Sequence, residues 1–217
     1  MIRFIDVHKR FGEQHVLRGV SLQVQRRKVH FVMGRSGVGK SVLIKCVVGL
    51  LAPDSGSIQF DGQEITGYSE AQFLTLRQRC QMVFQQALLF DNQTVLENVA
   101  GPICQRFGVT QEVAQRRAQD VLKQLGAWAY AAQLPSGLGL GLQKRVAMAR
   151  ALALRPEVVL FDEPTTSLDP VTARRIDRVI RGICDDHGVT CVVVSHDPAS
   201  AAAIADAVTV LARGPAE

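Results

Sequence analysis

Gly34-Arg35-Ser36-Gly37-Val38-Gly39-Lys40-Ser41 fits the pattern G-x-x-x-x-G-K-[ST] at every fixed position. The apolar run Val29-His30-Phe31-Val32-Met33 precedes it and reads as a buried strand. Val42-Leu43-Ile44-Lys45-Cys46-Val47-Val48 follows and reads as a buried helix. Strand, glycine turn and helix are the context a phosphate-binding loop needs. Its glycines let the backbone wrap a phosphate chain with N–H groups inward, and the helix N-terminus adds its positive dipole end. Gly34, Arg35, Ser36, Gly37, Val38 and Gly39 are the expected cradle. Lys40 is expected to reach the β- and γ-phosphates and Ser41 to hold Mg²⁺.

Working outward, the N-terminal side alternates apolar and polar residues in two runs, one through Ile2, Phe4, Ile5 and Val7 and one through Leu22 and Val24. Turn signals at Phe11-Gly12-Glu13 and Arg26-Arg27-Lys28 divide these into antiparallel strands leading to the loop strand. Phe11, beside a glycine in a polar turn, reads either as a ring for stacking on a base or as the apolar plug of a hairpin end; the residues alone favour the plug. On the C-terminal side a short strand is expected at 53–62 between turns, a helix at 69–79, and a strand from Cys80 ending in Gln85-Gln86. Gln85 is either a ligand contact at a strand's carboxyl end or a solvated strand end.

Residues 94–133 carry little strand signal. Thr94 with Glu97 forms a capping box, Gly101-Pro102 is expected to break or kink that helix, and Thr110 starts an amphipathic helix ended by Gly126. A glycine-rich turn, 134–141, then leads into a helix over Leu142–Leu154. Val158–Phe161 reads as a buried strand tipped by Asp162-Glu163, and 189–194 as another tipped by Ser195-His196. Alternating strands and helices imply an α/β fold with a mostly parallel sheet covered on both faces. Beside a phosphate loop on the same sheet, Asp162 is placed to hold Mg²⁺ directly or through water. Glu163 is placed to deprotonate a water attacking the γ-phosphate, and His196 to reach the same phosphate.

The 217 residues suit one large domain or a domain plus a subdomain, and 47% hydrophobic with 21% charged residues allows a substantial core. A net charge of +5, with no lysine- or arginine-rich run and no aromatic array, suits an anionic ligand or an anionic membrane surface and gives no case for nucleic acid. Five scattered cysteines without a C-x-x-C pair suggest a reducing compartment and core roles. No apolar run reaches the roughly 18–20 residues a membrane span needs, so membrane contact is expected only through a partner.

These residues together resemble the nucleotide-binding subunit of ABC transporters along nearly the whole chain. The phosphate loop looks like that family's Walker A motif and Val158–Glu163 like Walker B. Gln85 falls at the Q-loop glutamine, Ser167-Leu168-Asp169 at the D-loop and His196 at the switch histidine. Phe11 falls at the adenine-stacking aromatic, which reverses the plug reading. Gln143–Leu152 matches the helix after the signature. Phe84-Gln85, Ala87-Leu88-Leu89-Phe90-Asp91 and Glu97-Asn98-Val99-Ala100 are similar to the ATPases of Mla/Mce-type lipid transporters.

The resemblance implies a P-loop NTPase (RecA-like) core over about 1–86 and 150–217, with an antiparallel β subdomain and an inserted α-helical subdomain over about 87–149. It implies ATP and Mg²⁺ as ligands: Glu163, His196 and Gln85 in catalysis, Ser41, Gln85 and Asp162 toward the metal, and Phe11, Gly139, Gly141 and Asp169 joining the loop in binding nucleotide. It further implies a second ATPase subunit, expected to be another copy, around two ATP molecules. Integral membrane permease subunits would dock near Gln85–Val99 at the cytoplasmic face of the inner membrane. Family members often continue past the point where this sequence stops, Gly214-Pro215-Ala216-Glu217, so the resemblance leaves open whether the chain is truncated there.

One segment departs from the family pattern. Where the family signature reads Leu-Ser-Gly-Gly-Gln, this chain has Leu138-Gly139-Leu140-Gly141-Leu142, without the serine hydroxyl and with a bulky Leu140. A register shifted to Ser136-Gly137 leaves three extra residues before the helix. Two functions therefore stay open: a transport motor, and an ATP-sensing regulatory subunit with little turnover.

Overall fold

The computed structural model describes residues 1–212; residues 213–217, and with them the expectation attached to 214–217, lie outside the described residues. The chain opens with the antiparallel strands β1 (Ile2–Phe11) and β2 (Gln14–Val24), paired from Ile2↔Val24 to Phe11↔Gln14 around the turn at Gly12. β4 (Ser55–Phe60) pairs with the other edge of β1, and the two-residue β5 (Gln63–Glu64) follows it. Together they make a four-stranded sheet in the order β2-β1-β4-β5.

The second sheet carries most of the residues read above as site candidates. It contains β3 (Val29–Met33), β6 (Cys80–Val83), β7 (Val158–Asp162), β8 (Thr190–Ser195) and β9 (Ala207–Val210), in the order β6-β7-β8-β3-β9 and all parallel. Every residue of β7 and β8 is buried, as expected where helices or another sheet cover both faces. Successive side chains sort to opposite faces. Phe31, Val159, Phe161, Cys191 and Val193 enter one core, and Val32, Val158, Leu160, Val192 and Val194 the other.

The first core is closed by α3 (Val95–Phe107), α4 (Gln111–Gln124), α5 (Leu140–Ala153), α6 (Pro170–His187) and α7 (Pro198–Ile204). The second is closed by α1 (Lys40–Val47), α2 (Glu70–Arg79) and the antiparallel sheet. Of the five cysteines, Cys46, Cys80, Cys184 and Cys191 are buried as free thiols and Cys104 is partly buried.

Two helix expectations need adjustment. Of the break or kink expected at Gly101-Pro102, the break does not occur: α3 runs through as one helix. Proline there removes one backbone hydrogen bond, to the carbonyl of Asn98, but Val99, Ala100 and Ile103 are buried on the packed face and hold the helix together. α5 begins at Leu140, not Leu142, so Leu140-Gly141-Leu142 is its first turn and Gly139 its N-cap.

Candidate functional site

Strand register brings the polar tips together. Met33 pairs with Ser195, Asp162 with Val194, and Val83 with Phe161. The residues just beyond these pairs, Gly34, His196, Glu163 and, two further on, Gln85, therefore leave the sheet at its carboxyl edge, where ligands bind in open α/β sheets.

The phosphate loop is shaped by close packing as well as by ligand demand. A Cβ at Gly34 would lie 2.7 Å from the carbonyl oxygen of Leu211 and 2.8 Å from Cγ1 of the buried Val38. Gly39 has φ +105°, and a Cβ there would lie 2.7 Å from Cδ2 of Leu17. α1 then starts at Lys40 with no side-chain cap, leaving its first-turn N–H groups to face an anion.

Lys40 is only 5% exposed. Its Nζ donates to the carbonyls of Gly34 (2.8 Å) and Arg35 (3.1 Å) and stands 3.3 Å from Oε1 of Glu163. Ser41 Oγ donates to Oδ1 of the buried Asp162 at 2.5 Å.

Glu163 is the hub. Its backbone adopts φ +47°, a left-handed conformation that costs a non-glycine residue about 1–3 kcal/mol. Its N–H donates to Val194 O (3.0 Å), which fixes the strand tip against β8. Oε2 accepts from Thr166 Oγ1 (3.0 Å) and lies 2.8 Å from His196 Nδ1. The Glu163 side chain is 12% exposed and that of His196 57%, so the carboxylate is sheltered while the imidazole borders solvent. Lys144 reaches the same loop from α5, donating to the carbonyls of Glu163 (3.4 Å) and Thr166 (3.2 Å). Burial pushes the Lys144 ammonium below its usual range, against the pull of the Glu163 charge.

A cleft of about 540 Å³ joins Phe11, Ser36, Gly37, Gly39, Lys40, Ser41, Gln85, Glu163 and His196. Phe11 is 46% exposed at its mouth, with Lys9 Nζ 5.6 Å from the ring centroid. Gly139, Gly141 and Asp169 are not brought to this cleft. They line a separate depression with Leu140, Leu142 and Ser167. Gly141 is needed there for packing, because a Cβ would sit 2.3 Å from Cγ2 of Thr172. Asp169 caps α6 by accepting from the N–H groups of Val171 and Thr172, both at 3.0 Å. Hydrogen bonding by Thr172 above all holds its carboxyl below the usual carboxylate range.

Among the described residues no group of three or more His, Cys, Asp or Glu side chains is arranged to hold a metal. The donors that do converge, the Ser41 hydroxyl and the buried Asp162 carboxylate with the Gln85 amide at the same cleft, are hard oxygens. Few protein oxygens completed by substrate phosphate and water suit Mg²⁺. The residues fit the ion.

Sequence reasoning missed Val16, Val42 and Thr166 in the cleft, and Lys144 behind it. Thr166 was within reach of it, three residues after Glu163 in a proline turn. Lys144 carried no local signal, since its partners lie 19 and 22 residues away.

A glycine loop at the carboxyl end of a parallel sheet, with a lysine, a serine and two neighbouring carboxylates, defines a nucleotide-phosphate-binding α/β protein. The chain belongs to the ABC transporter family, whose model matches residues 17–166. It is 40% identical over 214 residues to the methionine import ATP-binding protein MetN of Rhizobium etli, covering 99% of this chain and 59% of that protein. It thus spans less than two thirds of the MetN proteins it matches. It is 37% identical over 207 residues to the intermembrane phospholipid transport system ATP-binding protein MlaF of Escherichia coli K12, covering 95% of this chain and 77% of that one. Its fold matches the ATP-binding cassette MJ0796, solved as a dimer in a post-hydrolysis state bound to ADP and Pi. The TM-score is 0.88 at 30% identity, over 97% of this chain and 94% of the other.

Proposed function

We propose that this chain binds and hydrolyses ATP as one of two cassettes that together drive a membrane permease. The observation that carries this is the Glu163 cluster: one sheltered carboxylate held by Thr166, His196 and Lys40, next to the Ser41–Asp162 pair. Lys40 and the loop N–H groups bind the β- and γ-phosphates, and Phe11 stacks on the adenine. Ser41 and Asp162, with Gln85, hold Mg²⁺, which when bound neutralises phosphate charge. Glu163 takes a proton from water as the water oxygen bonds to the γ-phosphorus. The bond from that phosphorus to the bridging oxygen breaks, and ADP and phosphate leave. His196 and Thr166 keep the Glu163 carboxylate aimed, which matters because proton transfer needs hydrogen-bond reach. Gly139, Gly141 and Asp169, which face away from this cleft, are read as contacts for nucleotide on a second copy. The dimeric cassette MJ0796 supports that reading.

The cargo is proposed to be lipid, with the chain on the cytoplasmic face of the inner membrane and attached through its permease. Support comes from MlaF, of which this chain covers the larger share, and from the Phe84–Ala100 resemblance. No described helix is long and apolar enough to cross a membrane. A crosslinker at Asn92, used in native membranes, is expected to capture a permease. Phospholipid should then stimulate ATPase activity of the captured complex while methionine does not. No capture with native neighbours co-expressed would refute the permease reading, and stimulation by methionine alone would refute the lipid reading.

A second reading, an ATP sensor with little turnover, is favoured by α5 itself. Its N-cap, Gly139, has no side chain to donate, and Leu140 stands 55% exposed where the family has glycine.

A further inference from the structure

Lys144 is 6% exposed, an unusual place for a lysine that has no carboxylate in hydrogen-bonding contact among the described residues. Its ammonium instead donates to two backbone carbonyls, of Glu163 and Thr166. Those carbonyls lie in a short loop bracketed by left-handed non-glycine residues, Glu163 at φ +47° and Ser167 at φ +65°. A strained backbone of this kind persists only when its surroundings hold it. The loop runs directly into α6, and α5 grips that helix too: Gly141 packs so closely on Thr172 that no Cβ fits between them. The first two turns of α5 are thus fastened to the 163–172 segment at two points, Lys144 and Gly141. A shift of α5 cannot be absorbed between them, because packed interiors transmit small displacements.

We propose that Lys144 is a positioning residue that links the Gly139–Leu142 end of α5 to the Glu163 loop, so that an anion docking at that end of the helix resets Glu163 in the same chain. The proposal rests on the ATPase reading above. In a pair of cassettes, the nucleotide on one copy's phosphate loop meets the other copy's α5. Lys144 then makes each copy's base responsive to the nucleotide its neighbour holds. It touches no reacting atom itself; it acts through the two carbonyls that set the Glu163 backbone. The outcome is cooperative turnover of two sites.

The test compares the parent with Lys144→Met, which keeps length and loses the donor, and Lys144→Arg, which keeps the charge. Steady-state phosphate release is measured against ATP concentration. Lys144→Met should lower kcat by about tenfold or more, the effect of losing hydrogen bonds from a charged donor, with KM within about twofold. Its Hill coefficient should fall to about 1, the value for uncoupled sites. Lys144→Arg should recover part of both. Amide hydrogen exchange, which needs no turnover, should quicken in the 163–168 loop of Lys144→Met while β7 and β8 stay protected, and Arg should reverse this. A Met variant with parental kcat and Hill coefficient overturns the proposal. So does unchanged exchange in the loop, or exchange raised throughout the fold, which would make Lys144 a core residue only. A parent without ATPase activity would instead refute the hydrolysis reading, and exchange in the loop alone would then decide whether Lys144 positions Glu163.

Discussion

Replacing Gly139 by serine tests the one segment where this chain departs from its family. Gly139 sits at φ −65°, ψ 152°, the extended geometry of an N-cap, and a Cβ built there meets nothing within 4 Å. Serine therefore fits without strain, and its hydroxyl can cap the first turn of α5, where no side chain now does. Serine over glycine at an N-cap stabilises by only a few tenths of a kcal/mol, so folding should barely change. Leu140→Gly removes a side chain already 55% exposed and so opens no core cavity. Its cost is helix propensity, about 1 kcal/mol at most. Against these small terms stands the gain toward nucleotide. A hydrogen bond to a charged phosphate is worth about 1.5–3 kcal/mol, and if made only in the transition state it raises the rate about 10–150-fold. Gly139→Ser with Leu140→Gly should therefore raise phosphate release by at least about tenfold and promote ATP-dependent pairing, from a slow parent. The assay is steady-state phosphate release at saturating ATP, each protein blanked with its own Glu163→Gln form. The single variants separate the hydroxyl from the bulk of Leu140. A fast parent that the double variant slows would refute the reasoning and show that Leu138–Leu142 works as it stands.

Two further outcomes follow from the geometry. Lys40→Ala should abolish tight ATP binding, measured by titration with labelled nucleotide, because Lys40 is the cation folded over the loop and beside Glu163; unchanged affinity would sink the phosphate-loop assignment. Gly141→Ala should destabilise the fold by about 1–3 kcal/mol, as overpacking does. Thr172→Ser, which removes the methyl group 2.3 Å from the new Cβ, should restore most of that loss in denaturant unfolding, and a failure to restore it would show that the strain lies elsewhere.

The sheet and the cleft were legible because their signals are local. Buried strands announce themselves as short apolar runs, and each functional tip, Asp162-Glu163 or His196, follows its run without a gap. The phosphate loop carries its turn and its lysine in eight consecutive residues. What escaped was set by contacts distant in sequence. The first turn of α5 reads as loop because its N-cap, Gly139, and one of its residues, Gly141, are glycines, and only the approach of Thr172 explains Gly141. Gly101-Pro102 reads as a break or a kink, and the break is avoided because Val99 and Ile103 are buried against α4 and α5, which the local sequence does not show. Lys144 reads as one more charge on a helix until its carbonyl partners are known.

The most direct test of the central claim is ATP turnover by Glu163→Gln. Glutamine keeps the shape of the side chain and an oxygen to accept from Thr166, but a neutral amide cannot take a proton from water. The variant should bind ATP with Mg²⁺ as tightly as the parent and accumulate as a closed pair on size-exclusion chromatography. Its phosphate release should fall by about 100-fold or more, the usual contribution of a general base. Parental phosphate release from Glu163→Gln would contradict the assignment of the base, and with it the function built around that carboxylate.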